Sequence, residues 1–308
     1  MELQLRASFQ QGGLNEAVNS TFLPPDFADR LRLPEGHPDR KAPVLMNPTA
    51  DDQKVMRPSL LPSLLIDAQM NFNRQQDPVH LFEIDKVFHG CTTGAPEERM
   101  QACALMAGSA PASTWDQARR KTDFFDIKGQ AERVISALGL KKVSWVFSNE
   151  CLPYQPSMSF RVLDASGEIL LKGGSVDPKV LKAYELDGIP CFAIEADLIR
   201  LASTPHRETA FSPLPKFPSS WRDLALVVPE TVSHEQVTDV LRSEGGVELR
   251  DLTLFDLYRG PHVPEGHRSL AYRLNFRNNE RTMTDEEVSG KIALILATLK
   301  KRFSIAPR

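Results

Sequence analysis

Alternation of apolar and polar residues is clearest in two runs near the end of the chain, 251–259 (DLTLFDLYR) and 269–277 (SLAYRLNFR). Since successive side chains of a β-strand point to opposite faces, each run divides into a core face and an outer face. In the second run the predicted core face consists of Leu270, Tyr272, Leu274 and Phe276. In the first run Phe255 and Leu257 have the parity of the core, which leaves Asp256 and Tyr258 on the outer face. An outward tyrosine with neighbouring arginines is a combination that binds single-stranded nucleic acid.

The elements around these two runs predict a complete small domain. A strand at 222–228 precedes them, and capping boxes at Ser233–Gln236 and Thr284–Glu287 begin two amphipathic helices. Residues 303–305 can add a last short strand. The resulting order βαββαβ predicts a ferredoxin-like split fold with both helices on one face of the sheet. The open face is predicted to carry Ala225, Asp256, Tyr258, Ser269, Arg273 and Arg277.

The first two thirds of the chain predict an α+β domain around a mainly antiparallel sheet. Strands are predicted at 16–23, 44–46, 80–88, 100–108, 143–147, 159–163, 168–173 and 191–198, and helices at 3–11, after Pro62, after 123–129 and at 178–184. Val18 and Phe22 are predicted core positions of the first strand. The apolar face of the helix after Pro62 either packs on its own domain or forms a subunit interface. A proline-rich junction at 204–218 divides the chain into predicted domains 1–206 and 207–308.

Composition restricts the class of protein. The 308 residues are 41% hydrophobic and 25% charged, which is typical of globular proteins and excludes a disordered chain. A net charge of -3 argues against binding nucleic acid through bulk charge, so any RNA contact must come from a local patch. The four cysteines, Cys91, Cys103, Cys151 and Cys191, form no CxxC pair, which favours a reduced protein without a cysteine metal site. Without an apolar run of membrane-spanning length or a signal peptide, we expect a cytoplasmic protein without membrane contact.

Several motifs resemble one known family. Within 217–303, FPSSWRDLALVV, LFDLYRG, PEGHRSLAYRL and RTMTDEEV resemble the ferredoxin-fold anticodon-binding domain at the C-terminus of the bacterial phenylalanyl-tRNA synthetase β subunit. Upstream, NPTADDQKVMRPSLLPSLL, LFEIDKVF and DFFDIKG resemble the class II synthetase-like domain that precedes it. The resemblance covers nearly the whole chain and implies contact with tRNA(Phe) during aminoacylation.

The resemblance assigns a role to each residue of the open face. It implies that Tyr258 stacks on the first anticodon base and that Asp256 accepts a hydrogen bond from a base edge. Ser269 is expected to form a further hydrogen bond, and Ala225 to leave room for a base. Arg273 and Arg277 complete the expected RNA-binding set. The pattern alone, without the resemblance, favours a strand-end tyrosine with its hydroxyl in water beside solvated arginines.

The same resemblance implies that this chain carries no catalytic residue of its own. DKVFHG offers His89 where an active class II enzyme has an arginine, and GIPCFAIEADLIRL does not match the glycine-rich third signature. Asp85 and Lys86 are expected to form a surface pair. No cofactor or metal site is therefore expected here, and the α subunit of a heterotetramer is expected to hold phenylalanine, ATP and magnesium.

The motifs match only the C-terminal half of that β subunit, so no editing role and no magnesium site is carried over. Met1 is compatible with an artificial or misannotated start, a separately encoded half or an engineered boundary. Two other functions remain open at this stage. A self-sufficient class II ligase would catalyse ATP–pyrophosphate exchange alone, and a ferredoxin-like interaction module would respond to a small molecule or a protein and not to tRNA.

Overall fold

Two compact units, Met1–Thr209 and Ala210–Arg308, make up the chain. The computed structural model describes residues 1–90, 95–110, 115, 118, 120–147, 151–207, 210–211 and 213–308. Cys91 and residues 208, 209 and 212 of the predicted junction lie outside the described residues. Cys103, Cys151 and Cys191 are free and buried.

Unit 1 is an α+β unit built on a long sheet. Its helices are α1 (Glu2–Gln11), α2 (Phe27–Arg30), α3 (Leu61–Asn73), α4 (Phe124–Leu138), α5 (Pro178–Ala183) and α6 (Leu198–Ser203). Its strands are β1 (Asn15–Glu16), β2 (Phe22–Leu23), β3 (Val55–Met56), β4 (Val79–His89), β5 (Glu97–Ala107), β6 (Ser144–Phe147), β7 (Tyr154–Leu163), β8 (Ile169–Val176) and β9 (Cys191–Asp197). Short 3₁₀ turns are left unnumbered.

The large sheet of unit 1 has the strand order β1-β4-β5-β9-β8-β7-β6 among the described residues. Strand β1 is parallel to β4, and the remaining neighbours are antiparallel. Helices α1, α4 and α6 cover one face, while α2, α3 and α5 contribute to the core on the other. Because both faces are covered, β4 is apolar at both parities, as the run HLFEIDKVF predicts.

Two of the predicted strands in unit 1 are wrong. The run 16–23 is interrupted between β1 and β2, and Val18, a predicted core residue, is 88% exposed. In this interruption the Asn19 amide donates to Asp67 Oδ2 at 2.7 Å and to Glu83 Oε2 at 3.0 Å. At 44–46 only Val44 forms a β-bridge, to Val55, and Met46 is exposed. Local alternation does not reveal these side-chain contacts, which join positions far apart in the sequence.

Unit 2 has the predicted order βαββαβ. Its elements are β10 (Ser220–Pro229), α7 (His234–Gly245), β11 (Leu249–Tyr258), β12 (His267–Phe276), α8 (Asp285–Phe303) and β13 (Ala306–Pro307). The sheet order is β11-β12-β10-β13, and both helices pack against one face. The predicted capping boxes are present at Ser233 and Thr284. The last strand is present but begins three residues later than the predicted 303–305, since α8 continues to Phe303 and Ser304 closes it in the left-handed region, with φ 57°.

Helix α8 is the longest described helix, with 19 residues. No helix of the described ranges combines the length and the apolarity required to cross a membrane. No group of three or more His, Cys, Asp and Glu side chains that could hold a metal ion was found among the described residues.

Candidate nucleic-acid interface

The register of the unit 2 sheet arranges the predicted site residues in rows on the face opposite the helices. Ala225, Ala271 and Asp256 are paired across three strands and form one row. Val227, Ser269 and Tyr258 form the next row, and Asp223, Arg273 and Thr253 form the row on the other side. We call this surface, from the Asp223 row to the Val227 row, the open face. Of the six predicted residues, the ladder brings together all except Arg277.

Tyr258 is half-buried at the end of β11. Its hydroxyl donates a hydrogen bond to the carbonyl oxygen of Pro261 at 3.2 Å, so the hydroxyl is not simply in water. Gly260 lies so close that a Cβ added there would be 2.7 Å from the Tyr258 oxygen. Only the absence of a Cβ at residue 260 leaves room for the Tyr258 ring. The hydrogen bond to Pro261 holds that ring beside the row that contains Asp256.

Arg308 contacts the Tyr258 ring and was not among the residues predicted from the sequence. Its guanidinium carbon lies 4.6 Å from the ring centroid, within cation–π distance. The Arg308 backbone N–H donates to the Ala225 carbonyl at 2.9 Å, which extends the pairing of β13 with β10. Arg308 therefore reaches across the open face from the far edge of the sheet. A single terminal arginine carries no sequence signal for such a contact, because the contact depends on the strand order.

The centre of the open face is made of small side chains and one carboxylate. Ala225 and Ala271 are adjacent across β10 and β12, and the Asp256 carboxylate is exposed beside them. Ser269 was predicted on the wet face but is only 3% exposed, since it lies between Tyr258 and Val227 in its row. The alanines leave a shallow floor on which a flat group can lie against the backbone.

Arg273 is exposed and bound to Asp223 across the β10–β12 pair. Its Nε donates to Asp223 Oδ1 at 2.8 Å and its Nη2 to Oδ2 at 2.7 Å. These hydrogen bonds hold the pKa of the Asp223 carboxyl below its ordinary value. The guanidinium carbon also lies 5.1 Å from the centroid of the Phe255 ring.

The prediction that Phe255 faces the core is wrong. Leu254 pairs with Tyr272 and Asp256 with Ala271, so Phe255 is an extra residue in β11. This β-bulge shifts the alternation by one residue and leaves Phe255 50% exposed. Leu257 keeps the core parity opposite Leu270, but it is exposed on an edge strand. Asp256 and Tyr258 share the outer face with Thr253, because the extra residue shifts the alternation of β11 by one position.

Arg277 does not occupy its predicted strand position. Strand β12 ends at Phe276, and the Arg277 backbone N–H donates to the Glu248 carbonyl at 2.8 Å. Its Nε is buried without a hydrogen-bond partner in the described part of the chain. The ladder therefore gives Arg277 no place on the open face.

A contrasting group of charged residues lies within unit 1. Arg57 is fully buried, and it binds Glu83 Oε1 and Asp85 Oδ2, each at 2.7 Å. The predicted surface pair of Asp85 with Lys86 is wrong, since Lys86 instead binds Glu98 at 2.7 Å. With its guanidinium surrounded by protein, Arg57 has no access to a nucleotide phosphate.

Glu195 is the centre of a second buried polar group on the same sheet face as Glu83, because Glu83, Cys103 and Glu195 are paired in one row. Its carboxylate accepts hydrogen bonds from Ser59 Oγ at 2.7 Å and the Tyr154 hydroxyl at 3.0 Å, and Lys172 Nζ lies 3.1 Å away. Burial, and secondly the charge of Glu195, raise the pKa of Tyr154 well above its ordinary value.

His89 lies at the end of β4, where the resemblance suggests that an active enzyme would have an arginine. Its Nδ1 is 3.7 Å from Asp39 Oδ1. An imidazole in that place offers one or two donors, against the five of a guanidinium, and it is a weaker match for a phosphate.

Comparisons with known proteins match both units. A family model described as "Phenylalanyl tRNA synthetase beta chain CLM domain" matches residues 1–198, and one described as "Ferredoxin-fold anticodon binding domain" matches residues 215–308. A protein of Moorella thermoacetica called "Phenylalanine--tRNA ligase beta subunit" is 37% identical over 303 residues, which are 98% of this chain and 37% of that protein. A Syntrophotalea carbinolica protein of the same name is 36% identical over 286 residues, or 92% of this chain and 35% of that one. The chain thus spans little more than a third of these relatives.

A solved structure supports the same fold class. The crystal structure of pyrrolysyl-tRNA synthetase from Desulfitobacterium hafniense matches with a TM-score of 0.51 and 18% identity, and the match covers 67% of this chain and 69% of that one. At this identity the likeness concerns the fold alone.

Proposed function

From the premise that the chain belongs to the phenylalanyl-tRNA synthetase β-chain family, we propose that its unit 2 binds the anticodon of tRNA(Phe) during aminoacylation. In this proposal residues 1–206 are a class II synthetase-like domain without catalysis, and residues 207–308 are the anticodon-binding domain with a ferredoxin-like fold. The relatives named above are called ligase subunits, and their chains are longer than this one.

One observation carries the anticodon proposal: Tyr258, Asp256 and Ala225 lie in adjacent rows on a sheet face that none of the described helices of unit 2 covers. An aromatic ring beside a carboxylate acceptor and a floor of small side chains is suited to an unpaired base, which offers a flat face and a hydrogen-bonding edge. Arg308 adds positive charge on one side of that position, and on the other side Arg273, whose charge is balanced by Asp223, presents hydrogen-bond donors. Ser269 contributes from beneath. Arg277, whose Nε is buried beyond the end of β12, is left out of the proposed interface.

Unit 1 is proposed to support an α subunit that carries out the chemistry in a cytoplasmic heterotetramer. Adenylate formation requires exposed arginines that clamp phosphates and carboxylates that hold magnesium. The buried state of Arg57, bound by Glu83 and Asp85, favours a structural role for that arginine. ATP and magnesium are therefore assigned to the partner subunit, and a self-sufficient ligase is not favoured.

Binding of an RNA hairpin with the sequence of the tRNA(Phe) anticodon arm, followed by fluorescence anisotropy, tests the anticodon proposal. Tyr258→Ala should weaken binding roughly 5- to 150-fold, the equivalent of one base–aromatic stack of about 1–3 kcal/mol. Tyr258→Phe keeps the ring and should bind like the wild type.

Equal affinity of wild type and Tyr258→Ala would refute the assigned base platform. A hairpin of the same length with a scrambled loop provides the RNA control, and its binding should be weaker than that of the anticodon loop and insensitive to Tyr258→Ala.

A further inference from the structure

A second exposed aromatic group lies away from Tyr258 on the same side of the unit 2 sheet. Trp221 is 49% exposed and pairs with Asn275, in the row that follows Asp223 and Arg273. Phe255, turned outward by the bulge, lies under the Arg273 guanidinium. The four residue-to-residue steps from Ser269 to Arg273 along β12 correspond to about 14 Å, and the six steps from Val227 to Trp221 along β10 to about 20 Å. One base therefore cannot contact both Tyr258 and Trp221.

A cleft lies beside Trp221. It has a volume of about 480 Å³ and is lined by Trp221, Arg222, Asp223 and Arg273. Arg222 Nη2 donates to Asp285 Oδ1 at 2.5 Å and its Nη1 to the Trp221 carbonyl at 2.8 Å, so one wall of the cleft is tied to the start of α8.

Arg273 is held in place at the entrance of this cleft. Asp223 takes the hydrogens of Nε and Nη2, which leaves the Nη1 amino group without a partner among the described residues. A guanidinium oriented by one carboxylate can donate its remaining hydrogens to a phosphate with little further loss of conformational freedom. The half-exposed Trp221 ring can stack on the flat base of a nucleotide, and the neighbouring Arg273 Nη1 can donate to its phosphate.

From this arrangement we infer that the cleft, here called the Trp221 subsite, binds a second unpaired nucleotide of the same RNA. Its base stacks on Trp221 and its phosphate binds Arg273. The inference rests on the proposed function, because the subsite continues the open face on which Tyr258 lies. It assigns Trp221 and Phe255 to the RNA interface, with Phe255 supporting the Arg273 guanidinium from below.

The experiment uses the full 308-residue chain and the anticodon-arm hairpin. Trp221→Ala should weaken binding roughly 5- to 150-fold, as expected for the loss of one stacked base, and Trp221→Tyr should restore most of it. Trp115→Ala, at an exposed tryptophan of unit 1, is the matched control and should leave the affinity unchanged. The direct readout is tryptophan fluorescence, which RNA should quench. Because the chain has three tryptophans, the Trp221→Phe variant provides the baseline.

Hairpins with a single abasic nucleotide at each loop position in turn identify the base that binds. One abasic position should abolish the effect of Trp221→Ala, and a different position should abolish the effect of Tyr258→Ala. If both effects disappear at the same position, the two rings serve one base and the inference is overturned.

The outcomes separate the inference from the proposed function. Loss of binding in Tyr258→Ala with no change in Trp221→Ala and no quenching of Trp221 overturns the inference alone. Absence of RNA binding by the wild type overturns both. Quenching of Trp221 by an added α subunit in place of RNA assigns the cleft to protein contact and also overturns the inference.

Discussion

In unit 1 and in unit 2, arginine, carboxylate and tyrosine side chains meet at one face of the sheet, but the two faces differ in access to water. In unit 1, Arg57 is fully buried between Glu83 and Asp85. In unit 2, Arg273 and Asp223 form a similar pair of hydrogen bonds with about half of each side chain exposed. The same chemical groups therefore serve different ends: the buried set holds the fold together, while the exposed set is available to a ligand.

The difference follows from the energetics of charge burial. A buried ion pair must recover the solvation that both groups lost, and removing one partner leaves an uncompensated charge. An exposed pair loses little solvation and contributes about 0–1 kcal/mol to stability. Because Asp223 and Arg273 contribute so little to folding, that face can be adapted to a ligand at small cost to stability.

The largest expected effect is on the buried arginine. Arg57→Met should lower the free energy of unfolding by about 3–5 kcal/mol, because Glu83 would remain buried without its charged partner. Arg273→Met is the matched variant on the exposed face and should cost less than about 1 kcal/mol. Urea unfolding followed by circular dichroism measures both. Equal losses in the two variants would break the comparison.

A smaller effect is expected for the two tyrosines. Tyr154→Phe removes the hydroxyl that donates to Glu195 at 3.0 Å and should cost about 1.5–3 kcal/mol, the usual range for a hydrogen bond to a charged group. Tyr258→Phe removes a partly solvated hydrogen bond to Pro261 and should change stability by less than about 1 kcal/mol. The same urea titration applies. If Tyr154→Phe proves neutral, the hydrogen bond from Tyr154 to Glu195 does not stabilise the fold and this part of the comparison fails.

The smallest effect concerns an exposed carboxylate at the start of α8. The hydrogen bond from Arg281, and secondly that from the Thr284 backbone N–H, lower the pKa of Glu287 from 4.5 to about 2. Since the folded-state pKa is lowered, this stabilising contribution is present above pH 4.5 and is lost as the pH falls through about 2. Arg281→Ala should raise the pKa of Glu287, as measured by NMR titration of its carboxyl carbon.

Arg302→Ala, at the other end of the same helix, should leave that titration unchanged. A Glu287 pKa that does not respond to Arg281→Ala would show that the helix cap alone lowers it, and would restrict the comparison to ion pairs within the sheets.

Local patterns predicted much of unit 2. The four core residues of β12 are all buried, because a strand with one face on a core keeps strict alternation. Both capping boxes were predicted, since they depend on residues three positions apart. The βαββαβ order followed from these signals, and with it the adjacency of the Ala225 and Tyr258 rows.

What the sequence did not predict depends on contacts between distant residues. Arg57 with Glu83 and Asp85 joins a connecting segment to β4, and no local period marks such a pair. The Arg308–Tyr258 contact spans the sheet from one edge to the other. The outward position of Phe255 required a bulge. The alternation slips by one residue where Leu254 and Phe255 are consecutive apolar residues, but this slip alone does not predict which of the two faces outward.

The bulge at Phe255 has a consequence for how such a surface diversifies. By inserting one residue, β11 displays two consecutive side chains, Phe255 and Asp256, to solvent while Leu254 and Leu257 keep their registration with Tyr272 and Leu270. The insertion or deletion of one residue at this point would change which side chains of β11 face solvent. The helices on the opposite face of the sheet would keep their contacts. Edge strand β11 can thus acquire new contact residues through changes in length as well as through substitution.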